Sequence, residues 1–287
     1  RNCDWSSDVC SSDLSAVTYG GGIYMGSSGT SLTVTDSEID TNTAELGGGM
    51  QTNVATVITG STIYGNTASV NGGGVYGSGA PTVSFSNSTI SGNSGSSGGG
   101  IYLSGSIVTV NNTTITNNTA SSEFAVAGLR LTGLSGSATV RNSIIADQAL
   151  GLDCSFGGFD TEGYNIESLT GCGFTGTGDQ QNTDPLLLPL ADNGGPTQTH
   201  ALDELSPAID LANPAGCEAD LDADGVANTP LDTDQRGQAR VDVAGVGNDG
   251  DAYCDIGAYE YAAGLYTISG NVSGLAGTGL VLQNNSG

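Results

Sequence analysis

Small and apolar residues recur along the first half of the chain with a step of about 26 residues. Four times, three consecutive glycines precede an apolar residue: 20–22 before Ile23, 47–49 before Met50, 72–74 before Val75, and 98–100 before Ile101. A unit this short cannot enclose a core of its own, so it must bury its apolar face against neighbouring units. The pattern therefore predicts a stacked solenoid.

Two further columns keep the same step. Isoleucine stands three residues before asparagine at 39/42, 63/66, 90/93 and 115/118, and we extend the frame to Ile144 and Asp147. Short β-branched runs lie between these positions, which is the pattern of strands separated by turns. They are residues 32–34, 54–58, 83–85, 107–110 and 138–140. Each repeat then holds about three strands, enough for one coil. The repeats of residues 15–150 are therefore predicted to form a parallel β-helix.

The asparagine column has a structural interpretation. Asparagine tolerates a left-handed backbone, and its amide can hydrogen-bond the asparagine of the next coil. We therefore predict a ladder at the turns, and we expect the glycines to mark positive φ or close approach between coils. The ladder residues are Asn42, Asn66, Asn93 and Asn118.

The combination of GGGIY with I-x-x-N resembles the repeats of bacterial right-handed β-helix surface proteins, including the polymorphic outer-membrane protein type. That resemblance implies an all-β, right-handed parallel β-helix with a pectate lyase-like fold. It is specific for the fold and only weakly specific for function.

Ordered motifs after residue 184 resemble the choice-of-anchor Q region that follows such repeats. They are DPLLLPL, DNGGPTQTH, SPAID, DQRG and CDIGAYE, at 184–190, 192–200, 206–210, 234–237 and 254–260. The resemblance implies an exported, surface-attached or secreted protein, and no particular reaction. We expect residues 151–262 to form an irregular cap over the exposed end of the solenoid, and Arg236 to form a structural ion pair with a neighbouring aspartate. Residues 263–287 resemble the start of an immunoglobulin-like β-sandwich repeat.

The charge balance limits the partners. The chain has no lysine, five arginines and thirty carboxylates, with a net charge of −25. Such a surface repels nucleic acid and anionic membranes, and no apolar run is long enough to span a bilayer. We expect an extracellular or cell-surface location, with polysaccharide or cell-surface glycans as partners.

Residues 4–14 match the translation of a common sequencing-library adapter, so we set them aside as an artefact. We expect residues 1–14 to be disordered and the native chain to extend upstream. Four cysteines remain, without C-x-x-C spacing, and the chain has a single histidine, so a zinc site is disfavoured. Two disulfides are expected; chain order favours Cys154 with Cys172 and Cys217 with Cys254, among three pairings.

One segment has the spacing of a calcium loop. Asp220, Asp222 and Asp224 occupy positions 1, 3 and 5, glycine follows at 6, and Asn228 falls at 9. Leu231 stands at position 12 and Asp232 comes one residue late, so the loop is not an EF-hand. A calcium ion is therefore one hypothesis, and a solvated acidic insert is the other.

The outward column of the coils is the candidate glycan surface. It contains Tyr24, Gln51, Tyr76, Tyr102 and Arg130. Exposed aromatic rings can stack on sugars, but they can also brace adjacent coils, and we favour the second interpretation. The carboxylates of the coils are scattered, so no catalytic residue is assigned. We expect a structural or adhesive module; the alternative is a carbohydrate-active protein, either a glycan-binding module or a lyase or hydrolase with active coils upstream of residue 15.

Overall fold

A computed structural model describes residues 10–123, 125–133, 138–155, 159–214, 216–221, 224–226, 228–242 and 254–262. Strands in the first part of the chain are β1 (Cys10–Ser12), β2 (Ile23–Met25), β3 (Ser31–Thr35), β4 (Glu38–Asp40), β5 (Thr43–Leu46), β6 (Met50–Thr52), β7 (Ala55–Thr59), β8 (Thr62–Tyr64) and β9 (Thr67–Asn71). The next are β10 (Val75–Ser78), β11 (Thr82–Ser86), β12 (Thr89–Ser91), β13 (Ile101–Ser104), β14 (Ile107–Asn111), β15 (Thr114–Thr116), β16 (Val126–Thr132), β17 (Ala138–Arg141) and β18 (Ile144–Ala146). The last are β19 (Leu152–Cys154), β20 (Phe159–Gly163), β21 (Ile166–Glu167), β22 (Leu187–Ala191), β23 (Thr199–Leu202), β24 (Glu218–Ala219) and β25 (Thr229–Pro230).

Three parallel sheets form the walls of a β-solenoid of about five turns. Sheet 1 has the order β1-β4-β8-β12-β15-β18-β21, sheet 2 the order β2-β6-β10-β13-β16-β19, and sheet 3 the order β3-β7-β11-β14-β17-β20. Each coil contributes one strand to each sheet. This agrees with the prediction of about three strands in each repeat. Among the described residues there is no helix that could cross a membrane.

The predicted columns stack in register. Ile63, Ile90 and Ile115 are paired from coil to coil and are fully buried. Phe85 fills the interior from sheet 3, and the apolar residue after each glycine triplet fills it from sheet 2. Because these side chains are removed from water only by stacking, the apolar interior holds the coils together.

The glycine triplets contain both a residue with positive φ and a residue in close contact with the next coil, as expected. Gly72 begins its triplet with φ 66°, a left-handed conformation that other residues adopt at a cost. The middle glycine lies against the next coil, since a Cβ on Gly48 would be 2.5 Å from the backbone of Gly73 and Thr67.

The asparagine ladder is confirmed as a chain of buried amides. Asn42 donates to Asn66 at 3.1 Å, Asn66 to Asn93 at 3.0 Å, and Asn93 to Asn118 at 3.0 Å. The expectation that these asparagines adopt the left-handed backbone is wrong. That conformation belongs to the residue before each of them, namely Thr41, Gly65, Gly92 and Asn117.

The frame that we extended to Ile144 and Asp147 is shifted by one residue. Ile115 pairs with Ile145, and Asn118 donates its amide to Gln148 at 3.2 Å. The coil before this point is longer, so Ile144 faces outward and packs against the C-terminal region.

Residues 10–12 differ from the expectation of a disordered leader. Strand β1 pairs in parallel with β4, and the amide of Leu14 donates to Asn42. An exposed edge strand accepts any extended segment that offers backbone hydrogen bonds, whatever its sequence. Residues 1–9 lie outside the described residues, as does the immunoglobulin-like segment expected at 263–287.

The far end of the interior is closed by residues 159–183. Phe174 is buried beside the Cys154–Cys172 disulfide, and its ring meets Phe159 edge-on at 6.3 Å. A final half-turn of chain follows, in which Gln180 forms an isolated parallel β-bridge with Ile166. This short segment, with one of the two predicted disulfides, covers the end of the core.

The described residues within 184–262, which we call the strap, do not cover the end of the solenoid. They run back along its side. Strap residues hydrogen-bond the outward side of sheet 1 at Thr114, Thr89, Thr62 and Glu38, one coil after another, and the Asn142 carbonyl in the turn before β18. Ile209 and Ile256 form a second small core with Ile144 there. From the sequence we expected the strap to cap the end of the solenoid, because the sequence does not show against which surface its apolar residues pack.

Candidate functional site

The outward side of sheet 2 carries the predicted aromatic column, which we call the tyrosine face. Strand pairing places Tyr24, Gln51, Tyr76, Tyr102 and Arg130 on five successive rungs. The rings of Tyr76 and Tyr102 are stacked with centroids 5.5 Å apart. Tyr24 is 54% exposed and stacks on Tyr19, with centroids 5.8 Å apart. Gln51 is buried and separates Tyr24 from Tyr76, so the described rings of this face form two separate stacked pairs, Tyr19 with Tyr24 and Tyr76 with Tyr102.

Arg130 ends this row, and its surroundings differ from those of the other arginines. Arg141, Arg236 and Arg240 form ion pairs with Glu218, Asp234 and Glu260. In the part of the chain that the structure describes, Arg130 forms none, although the protein is strongly acidic. It is half-buried beside Tyr102, with which it pairs across the sheet.

The described part of the strap makes its coil contacts away from the tyrosine face. Its described hydrogen bonds to the coils go to sheet 1 and to sheet 3, where Ser84 and Thr109 contact Asp220. Arg141, also on sheet 3, pairs with Glu218 of the strap at 2.7 Å. The described part of the strap thus lies against two of the three walls and makes no hydrogen bond to sheet 2.

The acidic loop predicted to bind calcium lies over sheet 3. Asp220 is fully buried, and its carboxylate accepts hydrogen bonds from the Thr109 hydroxyl and from the amides of Asp224 and Gly225. Asp224, Asn228 and Asp232 are exposed. Asp222 lies outside the described residues. Asp220 thus fixes the loop backbone through these buried hydrogen bonds. The carboxylates that face solvent in the described part of the loop are those of Asp224 and Asp232.

The strap also contains a buried polar cluster that sequence reasoning did not find. One oxygen from each of Asp210, Asp255 and Glu260 lies within 4.8 Å of the others. Arg240 supplies positive charge through its 3.0 Å ion pair with Glu260. Burial and the charge of Glu260 raise the pKa of Asp255 well above its usual range. Burial also raises the pKa of Glu260 to about 7, against the lowering effect of Arg240.

Arg236 has the structural role expected of it. It forms an ion pair with Asp234 at 2.7 Å, its guanidinium carbon lies 3.7 Å from the centre of the Tyr259 ring, and it donates to the Glu260 carbonyl. The DQRG and CDIGAYE motifs therefore meet in space. His200 is likewise structural: it is buried between Ser91 and the Leu188 carbonyl, and burial lowers its pKa.

Asp153 is another buried carboxyl that the sequence did not reveal. It lies on β19, fully buried, and its Oδ2 accepts from the Ser168 hydroxyl and the Leu169 amide at 3.0 Å each. Burial raises its pKa to about 6, and the nearby Glu167 and Asp147 add to the effect. A single aspartate between apolar residues gives no sequence signal of this kind, because its burial depends on the segment that folds over it.

The Cys217–Cys254 disulfide confirms the second predicted pairing and joins two distant parts of the strap. Beside it lies a shallow cavity of about 370 Å³ lined in part by Glu218, Asp232 and Arg240. The cavity is separate from the tyrosine face, because its lining comes from the strap.

Residues 6–178 match the family model of the right handed beta helix region. The chain belongs to the right-handed β-helix family. This membership agrees with the three parallel sheets and the stacked columns, and it fixes the fold of the β-helix without assigning a reaction or a ligand. No match was found among curated proteins or among solved structures.

Proposed function

We propose that this β-helix is a structural and adhesive module on the outside of a bacterial cell, and that its tyrosine face contacts polysaccharide. The observation that carries the proposal is the stacked pair Tyr76 and Tyr102, aligned along the axis on the wall to which the described part of the strap makes no hydrogen bond. Each ring gives one face to the cross-coil stack, which also braces the two coils as we favoured from the sequence. The remaining ring surface, together with the more exposed Tyr24, can contact the apolar face of a sugar.

The spacing of the rungs supports an extended ligand. Adjacent parallel strands lie about 4.8 Å apart, which is close to the length of one sugar unit in an extended chain. A glycan lying along the axis would then pass Tyr24, Tyr76, Tyr102 and Arg130 in that order, and would skip the buried Gln51 between the first two. Arg130 provides a donor group at the end of the row.

Location outside the cell is part of the same proposal. Disulfides persist in oxidising compartments, and the structure contains two. The net charge of −25 and the resemblance of the strap motifs to the choice-of-anchor Q region support the same location. We include calcium binding by the 220–232 loop, with Asp224 and Asp232 as solvent-facing ligands.

The glycan contact is tested by binding of the full chain to a panel of neutral and acidic polysaccharides. We expect Tyr76→Ala with Tyr102→Ala to weaken binding at least tenfold. Tyr164→Ala is the matched control, because Tyr164 lies at the corner between β20 and β21 and not on sheet 2. Equal binding by the double variant and the native chain would remove the tyrosine face from the proposal.

Calcium is tested separately by titration calorimetry with Asp224→Asn as the variant and Glu204→Gln, an exposed strap carboxylate, as the control. We expect heat of binding from the native chain and from the control, and a much weaker signal from Asp224→Asn. An absence of heat from the native chain would favour the solvated acidic insert. Release of unsaturated sugar from a polyuronate would instead favour the carbohydrate-active alternative.

A further inference from the structure

We propose that Arg130 is the anion-binding end of the tyrosine face, and that the glycan bound there is a largely neutral chain with a single carboxylate at one end. This inference rests on the proposed function, since it names the class of glycan that the same face selects. It follows from the surroundings of the Arg130 guanidinium, from a row of hydroxyl groups beside the aromatic rings, and from the charge of the whole chain.

The first argument is that the Arg130 side chain has no acceptor among the described residues. Its Nε is buried without a hydrogen-bond partner. Arg141 and Arg240 also have a buried, unbonded Nε, but their terminal nitrogens are paired with carboxylates, at 2.7 and 3.0 Å. A buried charged donor without an acceptor costs free energy, and in a folded protein it indicates an acceptor supplied from outside the chain.

The second argument is a row of hydroxyl groups that runs beside the column. On the last three rungs, a residue with a hydroxyl group stands two positions after the column residue, and residues two apart in a strand point to the same side. These residues are Ser78, Ser104 and Thr132, which pair from rung to rung. The Thr132 hydroxyl donates to the Tyr102 hydroxyl at 3.5 Å. Rings beside hydroxyl groups match the apolar face and the hydroxyl edge of a sugar.

The third argument sets the number of charges on the ligand. The chain has a net charge of −25, so it repels a polyanion within a Debye length of its surface, about 8 Å at physiological salt. Among the arginines that the structure describes, Arg130 is the one without an ion pair, so this face can neutralise one anionic group and not a series of them. A single carboxylate on an otherwise neutral glycan provides an acceptor for the guanidinium without adding further repulsion.

The fourth argument is the position of Arg130 at one end of the column. On the next strand of sheet 2, Cys154 pairs with Leu129, so Ser155 follows Arg130 in the column. Ser155 is buried, and it bonds the backbone of Leu129 through its amide and that of Leu131 through its hydroxyl. The column of rings therefore ends at Arg130. A glycan that lies along Tyr76 and Tyr102 brings its end, and not its middle, to the guanidinium.

Binding of the full chain to matched hexasaccharides tests the inference. Chains of β-1,4-linked glucose, mannose and galactose are each compared in three forms: neutral, with a carboxylate on the non-reducing end unit, and with a carboxylate at the reducing end. We expect one acidic form to bind at least tenfold more tightly than its neutral parent at low salt, because a guanidinium bonds a carboxylate through two parallel hydrogen bonds. The advantage should shrink in about 0.5 M sodium chloride.

Variants make the test specific to the guanidinium. Arg130→Gln should abolish the preference for the acidic form and leave binding of the neutral parent within about twofold of the native chain. Arg130→Lys should keep part of the preference, since the charge remains while the forked geometry is lost. Asn182→Asp is the matched control: it changes the net charge by the same amount at an exposed position outside sheet 2. Equal loss of preference in Arg130→Gln and Asn182→Asp would overturn the inference.

The outcomes separate this inference from the proposed function. Equal binding of neutral and acidic forms, weakened by Tyr76→Ala with Tyr102→Ala, would overturn this inference alone, as would tighter binding of a polyuronate than of the singly charged chains. Binding of no form would overturn both.

A second measurement needs no glycan. Phenylglyoxal, which reacts with free guanidinium groups, should modify Arg130 before Arg141, Arg236 and Arg240, as read from peptide masses. Modification of Arg130 no faster than of those ion-paired arginines would show that its guanidinium is already engaged, and would overturn the inference.

Discussion

The coils and the strap are held together by different kinds of contact. In the coils, every turn repeats the same apolar contacts and the same backbone pairing with the turn before it. In the strap, two short antiparallel pairs and a small apolar cluster are joined by individual polar contacts. Gln235, for example, bonds Thr62, which is 173 residues away in the chain.

This difference teaches where each region is sensitive to change. A repeated structure distributes its stability over many equivalent contacts, whereas a docked segment depends on a few that are not repeated. The strap buries ionisable groups around Arg240 and the last coil buries Asp153, so stability depends on pH in these two regions, while the interior of the coils is apolar. The predictions below test this contrast, from the largest expected effect to the smallest.

Deletion of a core side chain from the coils should have the largest effect. Phe85 is fully buried at the centre of the interior, and Phe85→Ala would leave a cavity and cost about 3–5 kcal/mol. Chemical denaturation should show this loss in the unfolding of the coils. A cost below about 1 kcal/mol would mean that the apolar interior is not what stabilises the stack.

Removal of the strap disulfide should be nearly as costly but confined to the strap. Cys217→Ser with Cys254→Ser opens a loop of sequence separation 37, and removal of a disulfide typically costs about 2–4 kcal/mol. Hydrogen exchange should increase in strap peptides and stay unchanged in sheet 2. The paired control is Cys154→Ser with Cys172→Ser, which should affect the closed end of the solenoid instead.

Interruption of the amide ladder should affect the coils on both sides of the change. Asn93→Ala removes the acceptor of the Asn66 amides and the donor to Asn118 and Ile63. Because several buried polar groups lose their partners, we expect a loss of about 2–3 kcal/mol. Thermal unfolding measures it, and Asn53→Ala, on a half-buried residue outside the ladder, is the comparison.

Replacement of Asp153 should stabilise the protein at neutral and alkaline pH. Its pKa is raised to about 6 from 3.8, so the ionised form costs stability as the pH rises through that interval. Asp153→Asn can keep the oxygen that accepts from Ser168 and Leu169, and it should gain roughly 2 kcal/mol at pH 8. The gain should vanish near pH 3.5. A variant that is less stable than the native chain at pH 8 would contradict this assignment.

Loss of one docking contact should have the smallest effect. The Gln235 side chain bonds Thr62, Thr89 and Thr197. Gln235→Ala should cost about 1–2 kcal/mol and act on the strap alone. Exchange of amides 197–200 should increase while that of 101–104 does not. If both regions respond equally, the strap and the coils unfold as one unit and the contrast drawn above is wrong.

Particular residues show how far sequence reasoning reached. The columns of isoleucine, asparagine and glycine were predicted because each repeat supplies the same side chain to its neighbour, so the period itself encodes the contact. The tyrosine face followed from the same register, and the two disulfides followed from chain order. The shift at Ile145 was missed because one longer coil changes the frame without a composition signal.

The sequence alone determined a parallel β-helix, its register, its ladder and its outward column, because the partners of each residue are one period away. Only the tertiary structure decided that the described part of the strap runs along sheets 1 and 3, away from sheet 2, and that Asp210, Asp255 and Glu260 meet near Arg240. Those contacts join segments of the chain that share no period. Burial, charge and shape select among them only when the whole chain has folded.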